Sequence, residues 1–541
     1  MKNYFKILVI LTISLFVSIS FFSCGNGNSR GRNTPLAEKL RNEVDALSKR
    51  EMQSIFQFMG DDLFEGRAPG TRGGDLAEKY LRSVMKLMDI EPYGDSYLQP
   101  FTLNGFTTSE LKVSAAGADL DYNGEVLGTY TGGGGSFNLS GKAVFIGYGT
   151  ETELWNWDDF KGYDIKDKIV ISRVNDPGMF IEDIFEGKIL TYFGRWRYHI
   201  EEARRKGAKA IFLIHTDDSA GYGWNVVQNS WSGEELYLDS ELEGNMVFAG
   251  WIKEDVLKRV LASSGHDLEK LYEVSLKRDF SPVPLNVEIE VSGQSDYRKI
   301  NNNNVIGFIK GKSEKSIVLS AHIDHLGILS GKEGDNIFNG AIDNGTAVAA
   351  MMMTAKILKK FQKELKYSVI ILGPNAEEGG LLGSRYFVET CDKSKIIANI
   401  NFESTPVWGK SGSIMGVGAR FSTMEDMLKE IASEEGLEYK YFSMSNQGFY
   451  FRSDQYPFAT SNIPSLWISA GEDDDSGMNL YKKFWRERYH TVNDEYDPAW
   501  SLEGLRQTIK FALLLAEKID SGKNLPEWKR QLTFPVLSEE K

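Results

Sequence analysis

Residues 316–327 read SIVLSAHIDHLG, and residues 367–380 read YSVIILGPNAEEGG. In each, a short apolar run with β-branched residues passes directly into residues that bind metal or move protons. These are His322 and Asp324 after the first run, and Glu377 and Glu378 after the second. Continuous apolar runs of about four to eight residues mark strands buried on both faces, as in the parallel sheets of α/β folds. A third run, IIANINFE at 396–403, ends on Glu403. Strands are expected at 305–309, 316–321, 367–372, 396–402 and 465–470, with a long helix over 346–361. Strands alternating with helices predict an α/β fold, a mixed and mainly parallel sheet flanked by helices. Met351, Met352 and Met353 fall inside the helical stretch, where methionine serves core packing.

Outward from this region the texture changes. Apolar residues at helical spacing over 36–59 and 74–88 predict two helices around a loop marked by Gly66, Pro69, Gly70 and Gly73. Between residues 108 and 292, short alternations at 111–115, 143–148, 168–172 and 210–214 read as a β-rich module. Its glycine run at 132–135 has no following helix and no Lys-Ser/Thr pair, so it reads as a loop rather than a phosphate cradle.

The chain has 541 residues, 41% of them hydrophobic and 12% aromatic, enough for a large core and two or three domains. A formal charge of −14 disfavours nucleic acid and anionic lipid surfaces as partners. At the N-terminus, Lys2 and Lys6 precede an apolar run at 7–22, then Ser23 and Cys24. This resembles a bacterial lipoprotein signal, with Cys24 as the lipidated residue and 25–33 as a tether. An ordinary cleaved signal peptide and an uncleaved membrane anchor are the competing readings. All three place the folded part outside the cytoplasm, in the bacterial cell envelope, with no membrane contact beyond the anchor. Only two cysteines are present, so lipidated Cys24 leaves Cys391 unpaired, as a small buried hydrophobe.

In an open α/β sheet, ligands gather beyond the carboxyl ends of the strands. His322 suits a metal, and Asp324 two residues on can orient its ring. Asp343, in NGAIDNGTAVAA (339–350), precedes a helix, where an N-cap is its commonest use. Adjacent Glu377 and Glu378 repel each other unless cations or protons compensate, and their side chains diverge enough for one to bind metal while the other faces a water. His490, beside Tyr489 in RERYHTVNDEYD (486–497), completes two histidines and three carboxylates, an N/O donor set suited to two zinc ions sharing a carboxylate.

The order and context of these motifs, over about 304–500, resemble the di-zinc exopeptidase family of bacterial leucyl aminopeptidases, aminopeptidase Y, glutamate carboxypeptidase and glutaminyl cyclases. The resemblance implies a zinc exopeptidase fold of the phosphorylase/hydrolase-like kind, with two zinc ions per chain. It makes His322, Asp343, Glu378, Glu403 and His490 the ligands, with Asp343 bridging. Glu377 becomes the general base, Asp324 the partner of His322, and Tyr489 a donor to the developing oxyanion. The family more often has Asp at the place of Glu403. FRSDQYPFATSNIP (451–464) resembles its substrate-side loop, matched at Ser453, Asp454 and Pro457, with Gln455 where His is common. His325 is read as a loop residue, and His199, His215 and His266 as surface or packing residues.

VFIGYG, DDFKGYDIKDKIVIS and EEARRKGAKAIFLIH resemble a protease-associated domain, which implies a lid or wall beside the substrate cleft. The expected organisation is a signal and tether (1–34), an N-terminal helical part (35–107), the inserted domain (108–292), the catalytic domain (293–525) and a tail (526–541). The function implied is hydrolysis of peptides, most simply at the N-terminal residue. A glutaminyl-peptide cyclase and a non-catalytic peptide-binding protein are the alternatives. Residue specificity and oligomeric state are not written in the sequence, and the acidic run at 472–475 reads as a solvated loop.

Overall fold

The computed structural model describes residues 34–231, 233–329, 334–473, 479–529 and 532–536. The proposed signal and Cys24 lie outside these residues. Among the described residues no helix is long and apolar enough to cross a membrane.

Strands Ser368–Gly373, Ser316–Ser320, Ile396–Asn401 and Ser465–Ala470 lie side by side in that order and run parallel. Antiparallel strands flank them, Ser413–Val417 on one side and residues 305–309 on the other. The sheet is thus mixed and mainly parallel, with helices on both faces. Alternation along each strand divides its side chains between two cores. Ile317, Leu319, Val369 and Ile371 enter the core shared with helices Ala347–Lys360 and Glu503–Ser521, whereas Val318, Ile370 and Leu372 meet Phe387, Val388 and Phe458. With both faces covered, every residue of the four parallel strands is buried, which is why none shows polar alternation. Met351, Met352 and Met353 are buried in this core, as expected. Cys391 is only half-buried, at the edge of the other one.

The N-terminal stretch differs from expectation. The apolar pattern over 36–59 is two helices, Leu36–Ala46 and Lys49–Met59, because the Ser48 hydroxyl accepts the Glu51 N–H and starts a new helix. A preferred N-cap residue here overrides continued periodicity. Helix Arg72–Leu87 then follows the expected loop.

Region 108–292 is not purely β-rich. The long strands Leu98–Ala115 and Val283–Ile309 pair antiparallel and lead the sheet into Gly135–Phe145. Beyond it, Ile169–Arg173, Ala210–His215 and Phe248–Lys253 run parallel, with helices Trp196–Arg205 and Glu254–Ser263 in the connections. Four of the ten residues of Trp196–Arg205, WRYHIEEARR, are apolar or aromatic, which hid the helix behind the stronger strand signals.

The loop between the second and third helices supplies the main brace. Gly66 has φ +67°, and a Cβ there would lie 2.4 Å from the Gly327 carbonyl oxygen, so only glycine lets this loop approach. Its neighbour Arg67 is fully buried. The guanidinium donates Nε–H to Ile323 O, Nη1–H to Met59 O and Asn339 O, and Nη2–H to Gly340 O and Asp343 O. Arginine has five N–H donors, and all are used. Replacing Arg67 by Met leaves these carbonyls buried and unpaired, and should lower the unfolding free energy by about 3–5 kcal/mol. Urea denaturation checks this, and a loss below about 1 kcal/mol would refute the brace.

Candidate metal centre

Each predicted ligand follows the carboxyl end of a strand or occupies a loop facing those ends. The parallel order 368–316–396–465 reverses direction of growth between the 316 and 396 strands, which makes their ends the switch point of the sheet. His322 and Glu403 stand there. Glu377 and Glu378 follow the neighbouring strand Ser368–Gly373, Asp343 precedes helix Ala347–Lys360, and His490 follows helix Leu480–Glu487.

These side chains converge. His322 Nε2 lies 3.3 Å from Asp343 Oδ1 and 3.4 Å from Glu403 Oε1. His490 Nε2 lies 3.0 Å from Glu378 Oε2 and 3.5 Å from Asp343 Oδ2. Asp343 therefore turns one oxygen to each histidine. His490 Nε2 is buried and makes no hydrogen bond despite these neighbours, because the atoms point at a common centre rather than at one another. Ligand bonds of about 2.0–2.2 Å at tetrahedral angles put neighbouring ligand atoms roughly 3.4 Å apart, which these separations match. The donor types and their separations fit divalent cations, with His322, Glu377 and Glu403 forming one group of possible donors and His325, Asp343 and Glu378 another. Asp343 does not cap its helix, since that helix has no side-chain cap.

The charge balance agrees. Asp324, Asp343, Glu377, Glu403, Asp454 and Asp494 are all buried, with Arg67 the buried cation among them. Burial disfavours a charged imidazole, yet Glu403 and Glu377 raise His322 well above its usual range. Burial likewise opposes His490, but Glu378 and Asp343 bring it up to about 9. For Asp343, burial is outweighed by His322 and His490, which hold it well below the carboxylate range. Glu377 goes the other way, pushed well above that range by burial and by Glu378 and Glu403, against the pull of His322. Without cations the cluster must hold protons, and metal ions replace them.

Main-chain amides and neighbouring side chains fix the ligands. Asp324 accepts the N–H groups of Glu377 and Glu378 at 3.1 and 3.2 Å. Asp324 also stays beside His322, the partner expected for it. The His322 Nδ1 bonds the Asp324 carbonyl oxygen at 3.2 Å, with the nearest carboxylate oxygen 3.7 Å away, while both carboxylate oxygens also serve the glutamate turn. Asp494 accepts the N–H groups of Ile342 and Asp343 at 3.0 and 2.9 Å. Ser453 donates to Glu403 Oε2 at 2.6 Å.

Four placements depart from the sequence reading. His325 is no ordinary loop residue: it is buried, and its Nδ1 lies 2.7 Å from Glu378 Oε1. Asp494 was missed, although it lies only four residues beyond His490 in the same motif. Ser453 and Asp454 are not at the substrate surface. Ser453 supports Glu403 from below, and Asp454 is buried against Ser384 at 2.6 Å. Their neighbours Phe451, Arg452 and Tyr456 are the residues of that loop that line the cavity above the cluster. Of the expected packing histidines, His199 and His215 are buried in the insert.

The cavity, about 160 Å³, is lined by Glu377, Glu378, Tyr489 and His490 on one side and by Tyr192, Arg195, Tyr222 and Trp231 of the insert on the other. Glu377 accepts no hydrogen bond from described side chains and borders this space. Tyr489 stacks on His490 with ring centres 3.8 Å apart. Glu472, at the start of the acidic run, bonds Ser443 and does not border the cavity.

Residues 304–515 match the peptidase M28 family over the whole set of ligands. A probable glutamate carboxypeptidase of Arabidopsis thaliana is 26% identical over 304 residues, 50% of this chain and 40% of that protein. Leucine aminopeptidase 2 of Trichophyton equinum is 27% identical over 183 residues, 31% of this chain and 34% of that one. The chain spans only 20 to 40% of the length of the curated relatives it matches. An aminopeptidase from Aneurinibacillus sp. strain AM-1 shares the fold, with a TM-score of 0.54 at 17% identity over 92% of this chain and 98% of that one. That likeness of fold extends beyond the M28 segment.

Because Asp324 holds both glutamates by their amides, Asp324→Asn should weaken metal binding about 10- to 100-fold, the usual effect of losing such a support. Competition with a chromogenic chelator measures it, and wild-type affinity in the variant would remove Asp324 from the site.

Proposed function

We propose that this chain is a zinc-dependent exopeptidase, acting as an aminopeptidase on short peptides. The observation that carries the reading is Asp343 facing His322 with one oxygen and His490 with the other. His322, Asp343 and Glu403 would hold one zinc ion, and His490, Asp343 and Glu378 the second. Bound zinc lowers the pKa of water towards neutrality and polarises the scissile carbonyl.

The remaining chemistry belongs to side chains. Glu377, ionised once cations replace the cluster's protons, takes the proton of the attacking water on a carboxylate oxygen and delivers it to the nitrogen of the leaving amine. Its freedom from hydrogen bonds suits that transfer. The Tyr489 hydroxyl stays protonated, since burial raises its pKa well above the usual value, and donates to the oxyanion as it develops. Residues of the insert wall the cavity and keep bulk water from it, in the manner of the protease-associated domain that the sequence resembles. Lipidation at Cys24 and anchoring in the cell envelope complete the reading.

Glu377→Gln keeps the shape of the site and removes the base. Metal content should stay at the wild-type level while kcat falls about 10²- to 10⁴-fold, read by elemental analysis and by release of amino acids from a peptide panel. A variant with unchanged kcat would disprove the base. Chelation should abolish turnover and lower the melting temperature, since it returns the buried carboxylates to mutual repulsion, and added zinc should restore both. Turnover that survives complete metal removal would overturn the reading.

A further inference from the structure

The turn that carries the proposed base is gripped from two sides. On the sheet side, Asp324 accepts the N–H groups of Glu377 and Glu378. Within the turn, the Glu377 carbonyl accepts the N–H groups of Gly380 and Leu381, both at 2.8 Å. On the other side stands Arg197, from the insert helix Trp196–Arg205, which donates Nη1–H to the Gly379 carbonyl oxygen at 3.4 Å. Two glycines let the insert come this close. Gly380 has φ +114°, where a side chain is disfavoured, and a Cβ there would overlap the Arg197 guanidinium. At Gly379 a Cβ would lie 3.2 Å from Leu236 Cβ, on the insert strand Glu234–Tyr237. The guanidinium therefore rests against bare backbone of the turn.

Arg197 is not free to swing away. Glu201 lies 3.3 Å from its Nε and Glu241 pairs with its Nη2, and both acids belong to the insert. The same two acids reach Arg385, at 3.2 and 3.7 Å, on helix Leu382–Thr390, which begins where the turn ends. Two arginines and two glutamates thus balance one another, and Tyr192 donates to Glu201 at 3.2 Å. A planar fork with five donors can meet both acids and the turn at once, whereas an ammonium does so less completely.

Glu377 accepts no hydrogen bond from described side chains, which leaves the backbone of the turn to place its carboxylate. A general base must come within about 2.6–3.2 Å of the proton it takes, and a misplacement of about 1 Å can cost roughly 10²-fold in rate. We propose that Arg197 is a positioning residue for the base: from the insert it fixes the backbone of the turn 377–381, and so the direction of the Glu377 carboxylate. This rests on the reading of Glu377 given above. The insert then contributes to the rate of the chemical step as well as to the walls of the cavity.

Steady-state kinetics on the zinc-loaded full chain test this, with the peptide of the panel that the wild type cleaves fastest. Arg197→Met should lower kcat about 10- to 100-fold and leave KM within about threefold, with zinc content at the wild-type level. Arg197→Lys, which keeps a charge between Glu201 and Glu241, should recover part of the loss. Arg420→Met is the control for mere docking of the insert. It breaks the pair with Glu186, which ties the insert to the 419–421 segment rather than to the turn, and should keep kcat within about twofold. Thermal melts confirm that each variant is folded. An unchanged kcat in Arg197→Met, or a loss as large in Arg420→Met, would overturn the proposal. So would a raised KM at unchanged kcat, which would make Arg197 a substrate contact.

A second measurement separates this proposal from the reading on which it rests. In a Glu377→Gln background, Arg197→Met should change the residual kcat by less than about threefold, because the group it places is gone. A full additional loss there, with Glu377→Gln itself impaired, sinks the positioning role and leaves the base intact. Wild-type kcat in Glu377→Gln sinks the base instead, and with it the target assigned to Arg197.

Discussion

The side chain of Arg67 ties together the parts of the chain on which the site depends. Its five N–H groups reach carbonyls from the second helix, from the segment after the 316–320 strand, and from the turn that presents Asp343. A guanidinium in the interior is expensive unless every donor is used and opposite charge lies near. Both conditions hold, because Asp343, Asp324, Asp494 and Glu378 surround it. The cation both braces three loops and offsets part of the acidity of the centre. Helices that are distant in sequence from residues 304–515 thus become part of the face that carries the candidate site.

The carboxylates of the candidate centre follow one rule: a side chain turned towards the common point is held by a neighbouring group. Asp324 holds the amides of Glu377 and Glu378, Asp494 those leading into Asp343, Ser453 an oxygen of Glu403, and His325 an oxygen of Glu378. Such supports set the geometry before any ion arrives, which limits the ordering cost of binding.

The fold was legible because the segment 304–515 obeys simple physics. Strands covered on both faces must be apolar throughout, and 316–320, 368–373 and 396–401 announced themselves in that way. The ligands were legible for a related reason, since polar residues at the very end of a buried strand need a purpose there. The supports were harder to see. His325 and Asp494 sit in loops where histidine and aspartate are ordinary, and their partners come from segments 53 and 151 residues away. Arg67 lay in a glycine-marked loop, where no local pattern singled it out. In the insert, a helix with few apolar residues was hidden among strands, and one capping serine split an otherwise continuous helical pattern.

By itself, the sequence determined the fold class, the residue types of the centre and their order along the chain, because hydrophobic patterning and strand-end chemistry are local signals. Only the tertiary structure decided which oxygen of Asp343 faces which histidine, that Asp324 serves the glutamates more than His322, and that Arg452 rather than Ser453 or Asp454 reaches the cavity. These depend on where loops from distant segments meet, and on which hydrogen bonds each group has already made. The placement of Arg195 on the same cavity as Glu377 and His490 was likewise beyond any local pattern, since the charge of a cavity exists only once its walls have come together.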